Sequence, residues 1–338
     1  MSDTYSIKIA TKSSRYFVYF LIALLLVLFL GPWWMSRGDM RLTIEIATYL
    51  TLATMWNLLA GYAGMVSVGQ QAFVGIGGYL LFACVIFFGW NPIYSIPLIG
   101  ILVAIMAIPT ATIAFRLEGS YFAIGTWVIA EIYMLASSQI SALGGGSGIS
   151  LPIKAIKAIA DGRDAREAVI YFTAIALAIF AIAFTYALLR SRLGLALTAI
   201  RDNSLASASV GVNTQKVKYI VYISVACITG MAGALIFLSK LRISPTIAFS
   251  MLDWTAYIIF IVVIGGIGKI EGPIIGTIVY FVLRTFLADL GTIYLIILGV
   301  LAIVVMLKSP GGIWGIIQDK YNIELFPLHR KLVKREKQ

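Results

Sequence analysis

Ionisable side chains are rare in the long apolar runs of this chain, so the few that occur there are the first places to look for chemistry. Glu45 lies near one end of the second run and Glu131 midway along the fifth. A charge at bilayer depth costs on the order of 2.5–3.5 kcal/mol unless it is paired or wetted. Each carboxylate therefore reads either as part of a polar pathway that could meet an ammonium group, or as a buried partner for Thr, Tyr or a neighbouring Arg. Cys84 and Cys227 both fall inside hydrophobic runs and read as small core residues. The single histidine, His329, sits in a polar tail, so a histidine-based metal or acid–base centre within the membrane is not expected. Gly268-Lys269-Ile270 comes nearest to a phosphate-binding loop. It lacks the upstream glycine, since Val263 stands there, and the Ser or Thr after the lysine. No catalytic residue, metal or cofactor is expected, and any work driven by ATP requires another subunit to hydrolyse it.

The elements that carry these residues follow from composition. The chain of 338 residues is 60% hydrophobic and 12% charged, about half the charged fraction of roughly 25% usual in soluble domains. That predicts an all-α polytopic membrane protein. Its charge of +11 reads as basic loops at one membrane face and not as a nucleic-acid surface. A spanning helix needs about 20 mostly apolar residues, and runs of that kind fall near 17–35, 42–60, 72–90, 94–115, 120–139, 168–189, 219–239, 254–268, 273–288 and 292–307. About ten transmembrane helices put both termini on one side. Lys and Arg crowd the connections that share a side with both ends and with the stretch after the sixth run, which makes that side cytoplasmic. The polar first residues, and the lack of a small-residue pattern after Met35, read as a retained segment and not a cleaved signal. The organisation expected is a cytoplasmic tail over 1–16, a transmembrane domain over 17–307 with a structured cytoplasmic segment at 190–218, and a basic cytoplasmic tail over 308–338. In that tail Ile313, Trp314, Ile316, Ile317 and Tyr321 precede cations, as in an interfacial helix.

The segment Leu193–Val212 is too patterned to be a bare connector. Leu193, Leu197 and Ile200 have helical spacing, Asn203 or Ser204 could cap a second short helix, and Gly211 reads as a stop. Two short helices at a membrane face suggest a docking element. Glycine supplies another signal. Gly268, Gly272 and Gly276 recur every four residues, as do Ala226, Gly230 and Ala234, and small faces let helices approach closely in lipid. The clusters Gly61–Gln71 and Gly265–Pro273 instead interrupt runs, which a membrane tolerates only where the backbone is buried in protein or lines a watery cavity. Spans two to five and seven to ten would run in opposite senses, the pattern of an inverted repeat. Outside the spans, 141–150 reads as a flexible glycine loop. Ile153, Ile156 and Ile159 suit a short surface helix beside Lys154 and Lys157.

Four stretches, GYAGMVSVGQQAFVGIGGY (61–79), GGGSGIS (144–150), GLALTAIRDNSLASASVGVN (194–213) and VVIGGIGKIEGPIIG (262–276), resemble the permease subunits of ABC importers for branched-chain amino acids, of the LivM type. The resemblance covers nearly the whole chain from the second span onward. It implies the inverted-repeat fold of type II ABC importer permeases, and a cell-membrane subunit that moves leucine, isoleucine, valine or similar amino acids. The implied partners are two ABC ATP-binding subunits, a second homologous permease in a heterodimer, and an external substrate-binding protein. Carried onto this chain, the contacts that couple to the ATPase fall on Gly194, Ala196, Ala199, Arg201, Asp202, Asn203, Ala206, Ala208 and Gly211. Gly64, Ser67, Gly69, Gln70, Glu131, Gly265, Gly266, Gly268 and Gly272 mark the translocation path or its helix breaks. The family commonly carries a more acidic run where Asp202-Asn203-Ser204 stands, and Lys154–Arg166 has no clear counterpart. A urea or short-amide permease of the same family, and an ion-coupled carrier of a different class, are the alternatives.

Overall fold

Residues 5–8, 12–287, 291, 293–309, 311–321, 325–327 and 331–334 are described by the structure, a computed structural model. His329 and the basic residues after Lys334 lie outside the described set. The long helices are α1 (Lys12–Phe29), α2 (Arg37–Asn57), α3 (Gln71–Phe88), α4 (Pro92–Ala114), α5 (Ser120–Ser138) and α6 (Arg163–Leu189). Two short helices follow, α7 (Arg192–Asp202) and α8 (Ser204–Ser209). Then come α9 (Thr214–Lys240), α10 (Tyr257–Gly265), α11 (Glu271–Leu287), α12 (Ile293–Lys308) and α13 (Gly312–Tyr321). Among the described residues, seven helical stretches are long and apolar enough to cross a membrane. They are α3, α4, α5, α6, α9, the stretch Pro245–Gly265 that ends in α10, and Ile293–Tyr321, which takes in α12 and α13. The other three expected spans coincide with α1, α2 and α11. α1 has only Tyr19–Phe29 as its apolar part, α11 has 17 residues, and α2 carries Arg37, Asp39, Arg41 and Glu45.

Those polar residues do not keep α2 at the surface. It is buried from Met40 to Asn57 along most of its length, and it packs against α6, α9, α10 and α11. Ser36 starts it with a capping box. The Ser36 Oγ accepts from the Asp39 N–H, and the Asp39 carboxylate accepts from the Ser36 N–H. The second organising helix is α9, whose main partners are α3 and α4. Glycine permits that contact: a Cβ on Gly77 would lie 2.1 Å from the Gly230 carbonyl oxygen, and one on Gly233 would lie 2.2 Å from that of Val74. The same device joins α10 to α11, where Gly265 and Gly276 bring the two backbones into contact. By contrast α5 buries only Phe122, Thr126 and Ala130 and α12 only Leu298. Their outer faces are bare apolar surface.

One face of the bundle, called upper here, bears the starts of α2 and α6 and the end of α9. There the glycine loop is more ordered than its sequence suggests. Two tight helical turns, Ser141–Leu143 and Gly145–Ser147, lead into Ile149–Ser150, which pairs antiparallel with Arg242–Ile243. Gly148 has φ +76°, and a Cβ on it would strike the Ile243 carbonyl oxygen at 2.1 Å. The short surface helix forms over Ile153–Lys157, as its isoleucine spacing predicts. The opposite, lower face bears α7, α8, the turn before α11, and α13. The described ends also meet, Tyr5–Lys8 pairing antiparallel with Lys331–Lys334.

Candidate functional site

Three sequence motifs meet at one point of the lower face. The last turn of α2 widens into a π turn, Leu58–Tyr62, which carries Gly61. Just before it, Asn57 is 1% exposed and faces the turn between α10 and α11. Its Oδ1 accepts from the Gly268 N–H at 2.8 Å, and its Nδ2 donates to the Lys269 carbonyl oxygen at 2.8 Å. Arg201, at the end of α7, reaches the same place and donates from Nη1 to the Gly61 carbonyl oxygen at 3.1 Å. A Cβ on Gly61 would lie 2.4 Å from the Gly268 nitrogen, so only glycine allows the two helix breaks to touch. Gly268 has φ +74°, which favours glycine a second time. The first break, the second break and the stretch after α6 thus form one hydrogen-bonded junction.

Caps and close packing fix the two short helices beside it. Ser191 caps α7 through the Leu193 N–H, and the Asn203 Oδ1 caps α8 by accepting from Leu205 and Ala206. Leu197 and Ile200 are buried beneath. A Cβ on Gly194 would lie 2.1 Å from the Leu189 carbonyl oxygen, and Gly211 has φ +88° after α8. Gly194, Asn203 and Gly211 therefore shape the segment instead of presenting side chains. Ala196 and Ala199 are half-buried, whereas Asp202, Ala206 and Ala208 are exposed. The largest apolar groups offered outward are Leu195, Leu205 and Val210, at 68%, 82% and 79% exposure. Sequence reasoning passed over these three, although Leu205 and Val210 interrupt a run of small and polar residues. Arg201 faces inward more than its sequence neighbours suggest, since its guanidinium holds both Gly61 and the Asp202 carboxylate, 3.1 Å away. Beside the junction is a groove of about 750 Å³ lined by Ala63, Gly64, Val66, Phe115, Ile200 and Arg201, among others.

Above the junction the backbone from Ser67 to Gln71 is irregular but pinned. Trp56 Nε1 donates to the Ser67 carbonyl oxygen at 2.8 Å, the Val68 N–H donates to Thr126 Oγ1 at 3.1 Å, and Gly69 lies against the Thr126 backbone. Gln70 Nε2 donates to Thr229 Oγ1 at 2.7 Å, and the Thr255 hydroxyl donates to Gln71 Oε1. Gln70 and Gln71 are 0% exposed, and they form a polar layer across α3, α9 and the start of α10. Gln70 Oε1 and Gln71 Nε2 have no partner among the described residues. A buried amide left half-satisfied is costly in a closed core.

A second cavity, of about 720 Å³, opens on the upper face between α2, α9, the start of α10, α11 and α12. Its walls include Tyr49, Trp254, Tyr257, Tyr280 and Tyr294 together with Arg41, Glu45, Lys240, Asp253 and Arg284. Glu45 accepts from Arg284 at 2.6 Å, the structural alternative offered by its sequence position. Arg41 is 2.5 Å from Glu167 on α6. Lys240 lies over the Trp254 ring, 4.8 Å from its centroid, and α9 ends at the next residue, Leu241, whose backbone is left-handed at φ +58°. Asp253 sits on a second π turn, Leu252–Ala256. Glu131, by contrast, is on the thinly packed α5, accepts from Trp127 Nε1 at 3.1 Å and does not line this cavity. Lys240 and Asp253 were missed because each stands at the ragged end of an apolar run, where a charge looks like a boundary. The cavity adjoins the glutamine layer through the π turn Leu252–Ala256. Trp254 above and Thr255 within it are adjacent in sequence.

The family model for the permease component of branched-chain amino acid transport systems matches residues 40–307. The chain is 28% identical over 322 residues to the high-affinity branched-chain amino acid transport system permease protein LivM of Escherichia coli, covering 87% of this chain and 74% of that protein. It is 26% identical over 318 residues to LivM of Salmonella typhimurium, with the same coverage. It is 26% identical over 273 residues to a probable LivM of Methanocaldococcus jannaschii, covering 71% of this chain and 78% of that one. No solved structure matches the chain.

Proposed function

The chain belongs to the family of permease components of branched-chain amino acid transport systems, and on that premise we propose that it carries leucine, isoleucine, valine or a similar aliphatic amino acid across the cytoplasmic membrane. It is a transport subunit of an ABC importer, not an enzyme. ATP is hydrolysed by two partner subunits docked on the lower face, an external binding protein delivers the amino acid at the upper face, and a second permease completes the membrane unit. The observation that carries this reading is the junction. Arg201, beside the outward-facing Leu205 and Val210, is bonded to Gly61, and Gly61 touches the Gly268 turn that Asn57 clamps. A push on α7 and α8 therefore reaches both helix breaks without an intervening flexible link.

Ten spans fit this role, with α1, α2 and α11 completing the seven apolar stretches. α2 supports the count because its charges are paired and its length is buried. An inverted repeat gains support from packing. The seventh span, α9, rests on the third and fourth, as the second, α2, rests on the eighth and ninth. The basic bias of the lower connections makes that face cytoplasmic, and the paired ends at Tyr5–Lys8 and Lys331–Lys334 agree with termini on one side.

The test is reconstitution of the permease pair with its ATPases and binding protein in proteoliposomes. Leucine uptake should require ATP, and Arg201→Glu should leave ATP hydrolysis running while uptake falls. Gradient-driven uptake by this chain alone, without ATP, would overturn the reading in favour of an ion-coupled carrier.

A further inference from the structure

Of the charges around the upper cavity, three are already engaged. Glu45 and Arg284 hold one another at 2.6 Å, and Arg41 is bound to Glu167 at 2.5 Å. Two are not. Asp253 makes no ion pair or side-chain hydrogen bond among the described residues, only its backbone N–H being engaged, by Ser250. Lys240 makes no ion pair within 4 Å among the described residues; its ammonium lies over the Trp254 and Phe237 rings, at 4.8 and 5.8 Å, and Asp253 and Glu45 act on it through space. One acid and one base therefore face a common space, unpaired with each other and placed by irregular backbone, the π turn at Leu252–Ala256 and the left-handed Leu241. Such backbone persists where the surroundings use it. An unpaired charge at the edge of the hydrocarbon region is costly, and two of opposite sign in one cavity are complementary to a ligand bearing both. The rest of the wall mixes the hydroxyls of Thr48 and Ser239 with apolar and aromatic groups, of which Ile44, Ile236, Tyr49 and Trp254 suit an aliphatic side chain. The volume, about 720 Å³, falls in the range of about 300–1,000 Å³ usual for small-ligand sites.

We propose that this cavity is a receiving site for a zwitterionic amino acid, whose α-ammonium binds Asp253 and whose α-carboxylate binds Lys240. The proposal rests on the transport reading above and adds to it a binding step within this chain, ahead of the glutamine layer. The paired Glu45 and Arg284 join α2 to α11 at the cavity wall.

The test uses the complete transporter with Cys84 and Cys227 replaced by alanine and Ser239→Cys added at the cavity wall. Labelling of that cysteine by a methanethiosulfonate reagent is followed without ATP and without binding protein. l-Leucine at about ten times its half-saturating concentration should slow labelling about tenfold. Leucinamide, which lacks the carboxylate, and 4-methyl-2-oxopentanoate, which lacks the ammonium, should protect far less. Asp253→Asn or Lys240→Gln should raise the leucine concentration needed by about ten- to a hundredfold, each variant's protection being read against its own labelling rate without leucine. Equal protection by all three compounds, or full protection in both variants, would overturn the site. Absence of protection in a complex that still imports leucine with ATP would overturn it too while leaving the transport reading standing; protection without ATP-driven uptake would instead strike the transport reading.

Discussion

Replacing Asn57 by alanine probes the junction at its centre. The wild-type side chain makes two hydrogen bonds of 2.8 Å, one to the Gly268 N–H and one to the Lys269 carbonyl, while 1% exposed. A hydrogen bond contributes about 0.5–1.5 kcal/mol net, and each buried group left without a partner costs about 1–3 kcal/mol. Interhelical bonds between side chains in membranes average only about 0.6 kcal/mol, because freed groups find other partners. Here the freed groups are backbone atoms of a turn that is only partly buried, where water can reach them, so the lower part of the range applies. Asn57→Ala should therefore destabilise the permease by about 1–3 kcal/mol, and Asn57→Asp by at least as much, since its carboxylate can still accept from Gly268 but is buried as a charge and meets the Lys269 carbonyl with repulsion. The assay is thermal unfolding of the purified complex in detergent, followed beside ATP hydrolysis and leucine uptake at a temperature where each variant remains folded. Uptake should fall more than hydrolysis, because the turn before α11 would no longer follow α2. A folded Asn57→Ala complex with unchanged unfolding and a wild-type ratio of uptake to hydrolysis would refute the claim that the breaks act as one body.

Further outcomes follow from other residues. Leu205→Asp places a charge on the 82% exposed group of α8 and should weaken ATPase association in co-purification by about tenfold or more, as removal of an interface anchor does, with membrane insertion unchanged. Gly77→Val drives a branched side chain into the Gly230 carbonyl, where even a Cβ would sit at 2.1 Å, and should lower the yield of folded protein sharply, as overpacking costs about 1–3 kcal/mol or more. Glu45→Gln leaves Arg284 without its anion, but both side chains are about two-fifths exposed, at 38% and 41%, so the loss in stability should be held to about 1 kcal/mol by solvent screening. The double replacement Glu45→Met with Arg284→Met should recover part of it, read by a double-mutant cycle on unfolding temperature.

Helix positions were legible because apolar length and turn chemistry are local properties. Asn203, Gly211 and Asn213 mark the ends of α8 and the start of α9 as their residue types require. The pair of short helices after α6 was legible for the same reason. Its inward contact was not, because Arg201 and Gly61 are joined across 140 positions and nothing in either stretch names the other. The upper cavity was hidden differently. Asp253 and Lys240 become a pair of free charges only because Glu45, Arg41 and the residues that neutralise them come from three other helices. Glu131 stood out in the sequence for its position mid-run, yet α5 is too lightly packed to place it in a shared space. The glycine loop, expected to be flexible, is held by pairing with Arg242–Ile243, a partner nearly a hundred residues away.

The burial of α2 has a bearing on how the chain is made. This helix is the middle of the finished bundle, yet its own composition would not commit it to lipid, and its counter-ions arrive late. Glu167 is translated 126 positions after Arg41, and Arg284 follows Glu45 by 239. At about 5–20 residues per second the second interval lasts roughly 12–48 s. During that time the ribosome emits six more apolar spanning stretches and most of α11 around a segment that has no settled environment. α2 must wait at the insertion machinery or in loose association with its early neighbours until α11 emerges. Chains truncated before Glu271 should then leave α2 accessible to proteases from the aqueous side, although every residue of α2 is present.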